Sequence, residues 1–362
     1  MEYSNPFSIC FNMLKLRYSV YDESITSLNI LTPEDKVNVF INLETAWKYL
    51  SMVRDLEKKL VLNRDFKTFM IADIINIAAH YKEFFKNNGL DTKVFLYTTD
   101  FDSMIGEFKE SKFNEDYRSY YLNKYNTNPK FVLLTDGLKD KILPKVKTLC
   151  DFIPDVYFIQ SKNIDGSLIP MIVGNQYPDR KNFIISADRY ETQYLFEKNY
   201  VHHLFLRNYS ATSLSCTMKD YLKAIFKLQE IKQEDLFLYQ NRSFYLLLLS
   251  CIGDRYRAAD GITGIGYKTL TKLLQQSITA KTITRETESI DLLSQLFDST
   301  IAEYVTENFN CLDLKNSYQM LLDGDKKEIL SQIVDRSDLN SLLSLNKSLF
   351  KNNELRIESL LK

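Results

Sequence analysis

The sequence is short of the residues that build several common kinds of site. Its 3 histidines, His80, His202 and His203, are too few for a histidine-rich metal centre. Its 5 cysteines (Cys10, Cys150, Cys216, Cys251 and Cys311) are odd in number and never spaced as C-x-x-C. That argues against a zinc site and for a reducing compartment. No run approaches the ~18 apolar residues of a membrane span, and no charged start leads into an apolar stretch. A soluble, intracellular protein without a membrane partner is therefore expected. An excess of charge is missing too: 46 basic side chains face 47 acidic ones, for a net charge of −1. Binding to nucleic acid, if it occurs, must come from local basic surface. What is present is a globular composition, 45% hydrophobic and 26% charged, sufficient for one large core or two modest ones. Heavy use of Lys, Asn, Tyr, Phe and Ile fits an AT-rich genome, such as that of a bacteriophage or another virus.

Five short apolar runs recur: VNVFI (37–41), VFLYT (94–98), VYFIQ (156–160), NFIIS (182–186) and HHLFL (202–206). Each is uninterrupted rather than alternating, as expected of strands buried on both faces of a parallel sheet. Helical patterns separate them, which predicts an α/β fold with a mostly parallel central sheet. Ligands of such a sheet sit off the carboxyl ends of its strands. From about residue 211 the segments 217–229, 241–252, 267–276, 289–309 and 326–359 read as helices with no strand between them. The expected organisation is an N-terminal extension (1–35), an α/β domain (36–210), a helical region with a hairpin (211–276) and a C-terminal helical region (277–362).

The stretch DGITGIGYKTLTKLL (260–274) has the character of an anion grip. Gly261, Gly264 and Gly266 punctuate a turn between two helical patterns, and glycine permits positive φ and close backbone approach. Turn amides and the unpaired N–H groups of the next helix suit a phosphodiester. Lys268 and Thr269 at that helix start add a charge and a hydroxyl. Such a grip reads backbone phosphate and carries no base specificity.

At this point the chain resembles the flap endonuclease and 5′→3′ exonuclease superfamily, whose nuclease domain is PIN-like. The family pattern G-D-x-x-D-N-I-P-G-V-x-G-I-G-x-K-T is matched without a gap by GDRYRAADGITGIGYKT (253–269). NFIISADRYETQYLF (182–196) resembles the strand followed by S-x-D-x-D. VNVFINLETAWKYL (37–50) resembles the first strand, and VFLYTTDFDS (94–103) the second strand with its acid. NIDGSLIPMIV (163–173) lies where the family has E-A-D-D. The resemblance implies a PIN-like three-layer domain followed by a helix–hairpin–helix region. It also implies a two-metal phosphodiesterase with Mg²⁺ or Mn²⁺ held by Asp100, Asp102, Asp165, Asp188 and Asp254 if active. A monovalent cation at the hairpin is a further implication. The family's arch would correspond to about 103–130, where Lys112, Arg118 and Lys124 alternate with tyrosines, a pattern suited to phosphate contact and base stacking.

Three expected acids are missing. The first-strand aspartate is Asn42, the second acid of S-x-D-x-D is Tyr190, and the last acid of G-D-x-x-D is Arg257. Glu191 is adjacent, but on a helix it would point about 100° away. An arginine cannot deprotonate, and at an effective dielectric of ~20 it repels a divalent ion ~5 Å away by roughly 6–7 kcal/mol. It can instead pair with Asp188 or Asp254, or grip a phosphate.

Three readings follow. One is a catalytically degenerate nuclease homologue with no metal cofactor. It would bind duplex or branched DNA without sequence preference and work with protein partners in a replication, repair or viral assembly complex. Another is an active metal-dependent 5′ nuclease with an atypical site. The last is a protein-binding structural subunit.

Overall fold

The computed structural model describes residues 35–43, 46, 65–99, 142–151, 153–186, 188–204, 217–226, 228–254, 257, 259–284 and 289–334. Five strands form one sheet: β1 (Lys36–Asn42), β2 (Asp91–Thr99), β3 (Val156–Ser161), β4 (Arg180–Ser186) and β5 (Tyr200–Leu204). Their order is β3-β2-β1-β4-β5, and all four pairings are parallel. The fifth strand starts two residues before its apolar run.

Alternate side chains of the central strands enter different cores, which is why the runs are largely apolar. Val39, Ile41, Val94, Leu96, Phe158 and Phe183 join one cluster with helices α1 (Asp65–Asn87) and α2 (Leu143–Cys150). Phe40, Phe95, Tyr157 and Ile184 join the other. On that face Phe40, Phe95 and Tyr157 stack across three neighbouring strands, with ring centroids 5.0 and 5.1 Å apart. The same cluster continues into α3 (Ile169–Gln176) and the helices that follow β5.

Those are α4 (Met218–Phe226), α5 (Gln233–Tyr239), α6 (Arg242–Ile252), α7 (Tyr267–Thr279), α8 (Ser289–Leu296), α9 (Ser299–Leu312), α10 (Leu314–Gln319) and α11 (Asp323–Ser331). The single helix expected over 289–309 is two, because Asp298 caps a new one by accepting from the Ile301 amide at 3.0 Å. Helix α6 is central: Phe244 through Cys251 are all buried, and Asn241 caps its start by accepting from Ser243 and Phe244. A helix apolar on every side has to be enclosed by its neighbours. No described helix is long and apolar enough to cross a membrane.

Strand β3 lies at a sheet edge. There Gln332, just past α11, accepts from the Gln160 amide and donates to the Gln160 carbonyl, both at 3.0 Å. A side-chain amide thus takes the place of a strand neighbour.

The strand order reverses between β1 and β4, so the crevice of the sheet opens off their carboxyl ends. Asn42 ends β1, and residues 188–191 follow β4.

Candidate functional site

Three segments bring carboxylates to this crevice. Beyond β3, Asp165 caps a short 3₁₀ turn, Gly166–Leu168, by accepting from the Ser167 amide at 2.8 Å. Gly166 is required there: a Cβ would stand 2.7 Å from Thr99 Oγ1 at the end of β2. Beyond β4, Asp188 accepts from the Tyr190 amide at 2.9 Å and so orders the entry to a second 3₁₀ segment, Glu191–Phe196. Asp254 follows α6 and forms a two-way backbone bridge with Ala259, at 2.7 and 3.1 Å. The bridge closes a tight loop around Arg257, whose own amide donates to the Asp254 carbonyl at 2.9 Å.

The guanidinium of Arg257 sits among all three acids. Its Nε donates to Asp165 Oδ2 at 2.7 Å. Nη1 donates to Asp254 Oδ2 at 2.9 Å and to Asp188 Oδ1 at 3.3 Å. Nη2 donates to Asp188 Oδ2 and Ser167 Oγ, both at 2.8 Å. Each of the five guanidinium N–H groups therefore has an acceptor, the full capacity of the group. The Arg257 side chain is only 11% exposed, and that of Asp254 5%. Below the cation lies the Tyr190 ring, its centroid 3.8 Å from Cζ, a cation–π contact. Burial alone would lower the Arg257 pKa, but the three aspartates outweigh it and hold the group charged far above any physiological pH. Asp188 feels the converse. Burial raises its pKa, yet the Arg257 charge and hydrogen bonds leave the carboxyl below its usual range.

The remaining altered position is satisfied in the same way. Asn42 Nδ2 donates to Glu191 Oε1 at 3.0 Å, and the Tyr97 hydroxyl donates to the same oxygen at 2.8 Å. Glu191 is fully buried. Burial, then the nearby Asp188 charge, push its pKa to about 7, against hydrogen bonds from Ser186 and Tyr97. Glu191 does turn away from the Arg257 cluster, which holds Asp165, Asp188 and Asp254, but it is buried beside them rather than lost from the site, held there by Asn42 and Tyr97.

Of the sequence-predicted acids, Asp165, Asp188 and Asp254 thus converge, while Asp100 and Asp102 lie outside the described residues. Lys112, Arg118 and Lys124 also lie outside them. Ser167, Tyr97 and Glu191 complete the site without a motif to announce them. The three acids do not suit a divalent ion in this arrangement. An ion within ligand distance of their oxygens would sit against the guanidinium that those oxygens already hold. Among the described residues, no group of three or more His, Cys, Asp or Glu is placed to share a metal.

The glycines of the hairpin divide into two kinds. Gly253 ends α6 at φ +72°, and a Cβ there would lie 2.3 Å from the Gly261 nitrogen. A Cβ on Gly261 would lie 2.4 Å from the Ile252 carbonyl oxygen, so this pair is a close backbone crossing. Gly264 and Gly266 have open space around them. Gly264, at φ +84°, sits in a turn closed by the Ile265 amide on the Ile262 carbonyl at 3.1 Å. Gly266 caps α7, and Lys268 and Thr269 are exposed in its first turn. Behind them Leu270 and Leu274 are fully buried.

No protein-family model matches this chain, and no curated protein does. Solved structures do resemble it. The bacteriophage T5 5′-exonuclease with bound zinc ions has a TM-score of 0.48 and 16% identity, covering 81% of this chain and 98% of its own. A T5 flap endonuclease pseudo-enzyme–product complex with DNA and metal ions has a TM-score of 0.46 and 16% identity over 82% and 98%. The catalytic core of Rad2 with DNA substrate has a TM-score of 0.45 and 10% identity over 90% and 92%.

Proposed function

We propose that this chain is a DNA-binding protein built on a 5′-nuclease framework, in which an arginine-centred ion cluster stands in the position of the metal centre. The observation that carries this reading is Arg257, which engages Asp165, Asp188 and Asp254 with hydrogen bonds of 2.7 to 2.9 Å. The altered residues also suit one another: Tyr190 lies under the guanidinium, and Asn42 donates to the buried Glu191. Around Arg257 itself every guanidinium N–H has an acceptor, whereas a drifting site would be expected to leave some of these groups without one, at a cost of about 1–3 kcal/mol each. In this reading residues 36–210 are the nuclease-type domain, 211–276 the DNA-contacting region and 277–362 a C-terminal region.

The DNA contact is assigned to the turn and first helical turn at 264–269. Its exposed glycines leave room for a phosphate, the first turn of α7 exposes Lys268 and Thr269, and Lys268 supplies positive charge. Recognition is of duplex or branched DNA without sequence preference. The test is a pair of assays on the same flap, nicked and single-stranded oligonucleotides. Salt-sensitive binding with no cleavage in Mg²⁺ or Mn²⁺ is expected. Metal-dependent cleavage that Asp188→Ala abolishes would replace this reading with that of an active nuclease. Absence of binding would leave a protein-binding role.

A further inference from the structure

We infer that Arg257 is a positioning residue for the hairpin, doing with a tethered side chain the cross-linking that a bound cation does among carboxylates. The inference rests on the proposed DNA-binding role of the hairpin for its functional consequence, but not for its structural one. Arg257 joins three segments that are remote in sequence: its own loop, Asp165 beyond β3 and Asp188 beyond β4, 92 and 69 residues away. It thereby ties the connection between α6 and α7 to the carboxyl ends of the sheet.

That tie reaches the hairpin through backbone contacts among the described residues on either side of it. The Asp254–Ala259 bridge fixes both of its ends. The Gly253–Gly261 crossing leaves no space for the two strands of the loop to slide. The Ile262 amide then donates to the Cys251 carbonyl at 2.8 Å, anchoring the near side of the turn that holds Gly264. On the outer side, Asn308 donates to the Asp260 carbonyl at 2.7 Å and Tyr304 donates to it at 3.3 Å. With the guanidinium removed, three carboxylates face one another and repel, and the push falls on the loop carrying Asp254.

The experiment uses the full chain and compares wild type, Arg257→Ala, Arg257→Lys, Lys268→Ala and the double variant Arg257→Ala/Lys268→Ala. Amide hydrogen exchange is expected to quicken in Arg257→Ala at 253–266, at 165–168 and at 188–193, with the strands unchanged. Arg257→Lys is expected to fall between, since a single ammonium cannot span three carboxylates; it serves alone should the alanine variant not fold. Affinity for a labelled DNA duplex is expected to fall about tenfold in Arg257→Ala and several-fold in Lys268→Ala. The double variant should resemble Arg257→Ala alone, because a displaced hairpin no longer presents Lys268. Unchanged exchange at 253–266, or losses that multiply in the double variant, would overturn the inference. If Lys268→Ala leaves affinity intact, the hairpin is not the DNA contact, and the exchange data still decide whether Arg257 holds the loop.

Discussion

Glu191 allows a quantitative test of the remodelled crevice. Its carboxyl is fully buried, and its pKa rises from the usual 4.5 to about 7. The folded state thus holds this proton more tightly than the unfolded chain does. Below about pH 4.5 both states are protonated and Glu191 has no effect on stability. Its penalty grows through the window between about pH 4.5 and 7, and above that it is complete, at roughly 3 kcal/mol. Glu191→Gln removes the ionisation while its amide oxygen still accepts from Asn42 and Tyr97. Urea unfolding of both proteins at about pH 5 and about pH 8.5 measures the effect. The variant should gain on wild type by roughly 2–3 kcal/mol between the two conditions. The 3 histidines are common to both proteins and cancel in the difference. A stability gap that stays constant or narrows as pH rises would refute the argument.

Other outcomes follow from the same geometry. Arg257→Met, close in volume but uncharged, should cost ~3–5 kcal/mol near neutral pH, as breaking a buried ion pair does; the loss should shrink as acid protonates the aspartates, read by denaturant unfolding. Gly253→Ala combines positive φ with a backbone clash and should destabilise far more than Gly264→Ala, which meets open space and costs only the ~1–2 kcal/mol of a left-handed residue; thermal melting separates them. Placing Asp at 42, 190 and 257 together should raise divalent-ion affinity in calorimetry, whereas Asp at 190 alone should do little while Arg257 still occupies the acids.

The parts of the molecule written in periodic patterns were readable from residues alone. As far as they are described, all five apolar runs fall on strands, because burial on both faces of the central strands favours apolar residues and admits a polar one such as Asn38 only with a partner, Asn182. Charge left two outcomes open for Arg257, pairing with Asp188 or Asp254 or gripping a phosphate, and its further bond to Asp165 carried no signal in the sequence. The place of Glu191 did not follow, because its burial depends on Asn42 and Tyr97, which reach it from two other strands 149 and 94 residues away. Nor did the division among the glycines. Gly261 and Gly264 look alike in sequence, and only the crossing of the backbone at Gly253 separates a glycine with no room for a side chain from one in open space. Ser167 carries no pattern at all; it reaches Arg257 because Asp165 caps the turn that contains it.

The amide of Gln332 on the rim of β3 bears on how this molecule lives at high concentration. A parallel sheet with a bare rim invites another chain to continue it, one strand at a time, without limit. Gln332 presents a carbonyl and an N–H to Gln160 in the manner of a further strand, but behind them comes a helix that cannot be extended in kind. Growth of the sheet in that direction stops after a single rung. Gln332→Ala would hand the rung back, and the first sign would be slow, concentration-dependent self-association at an unchanged melting temperature.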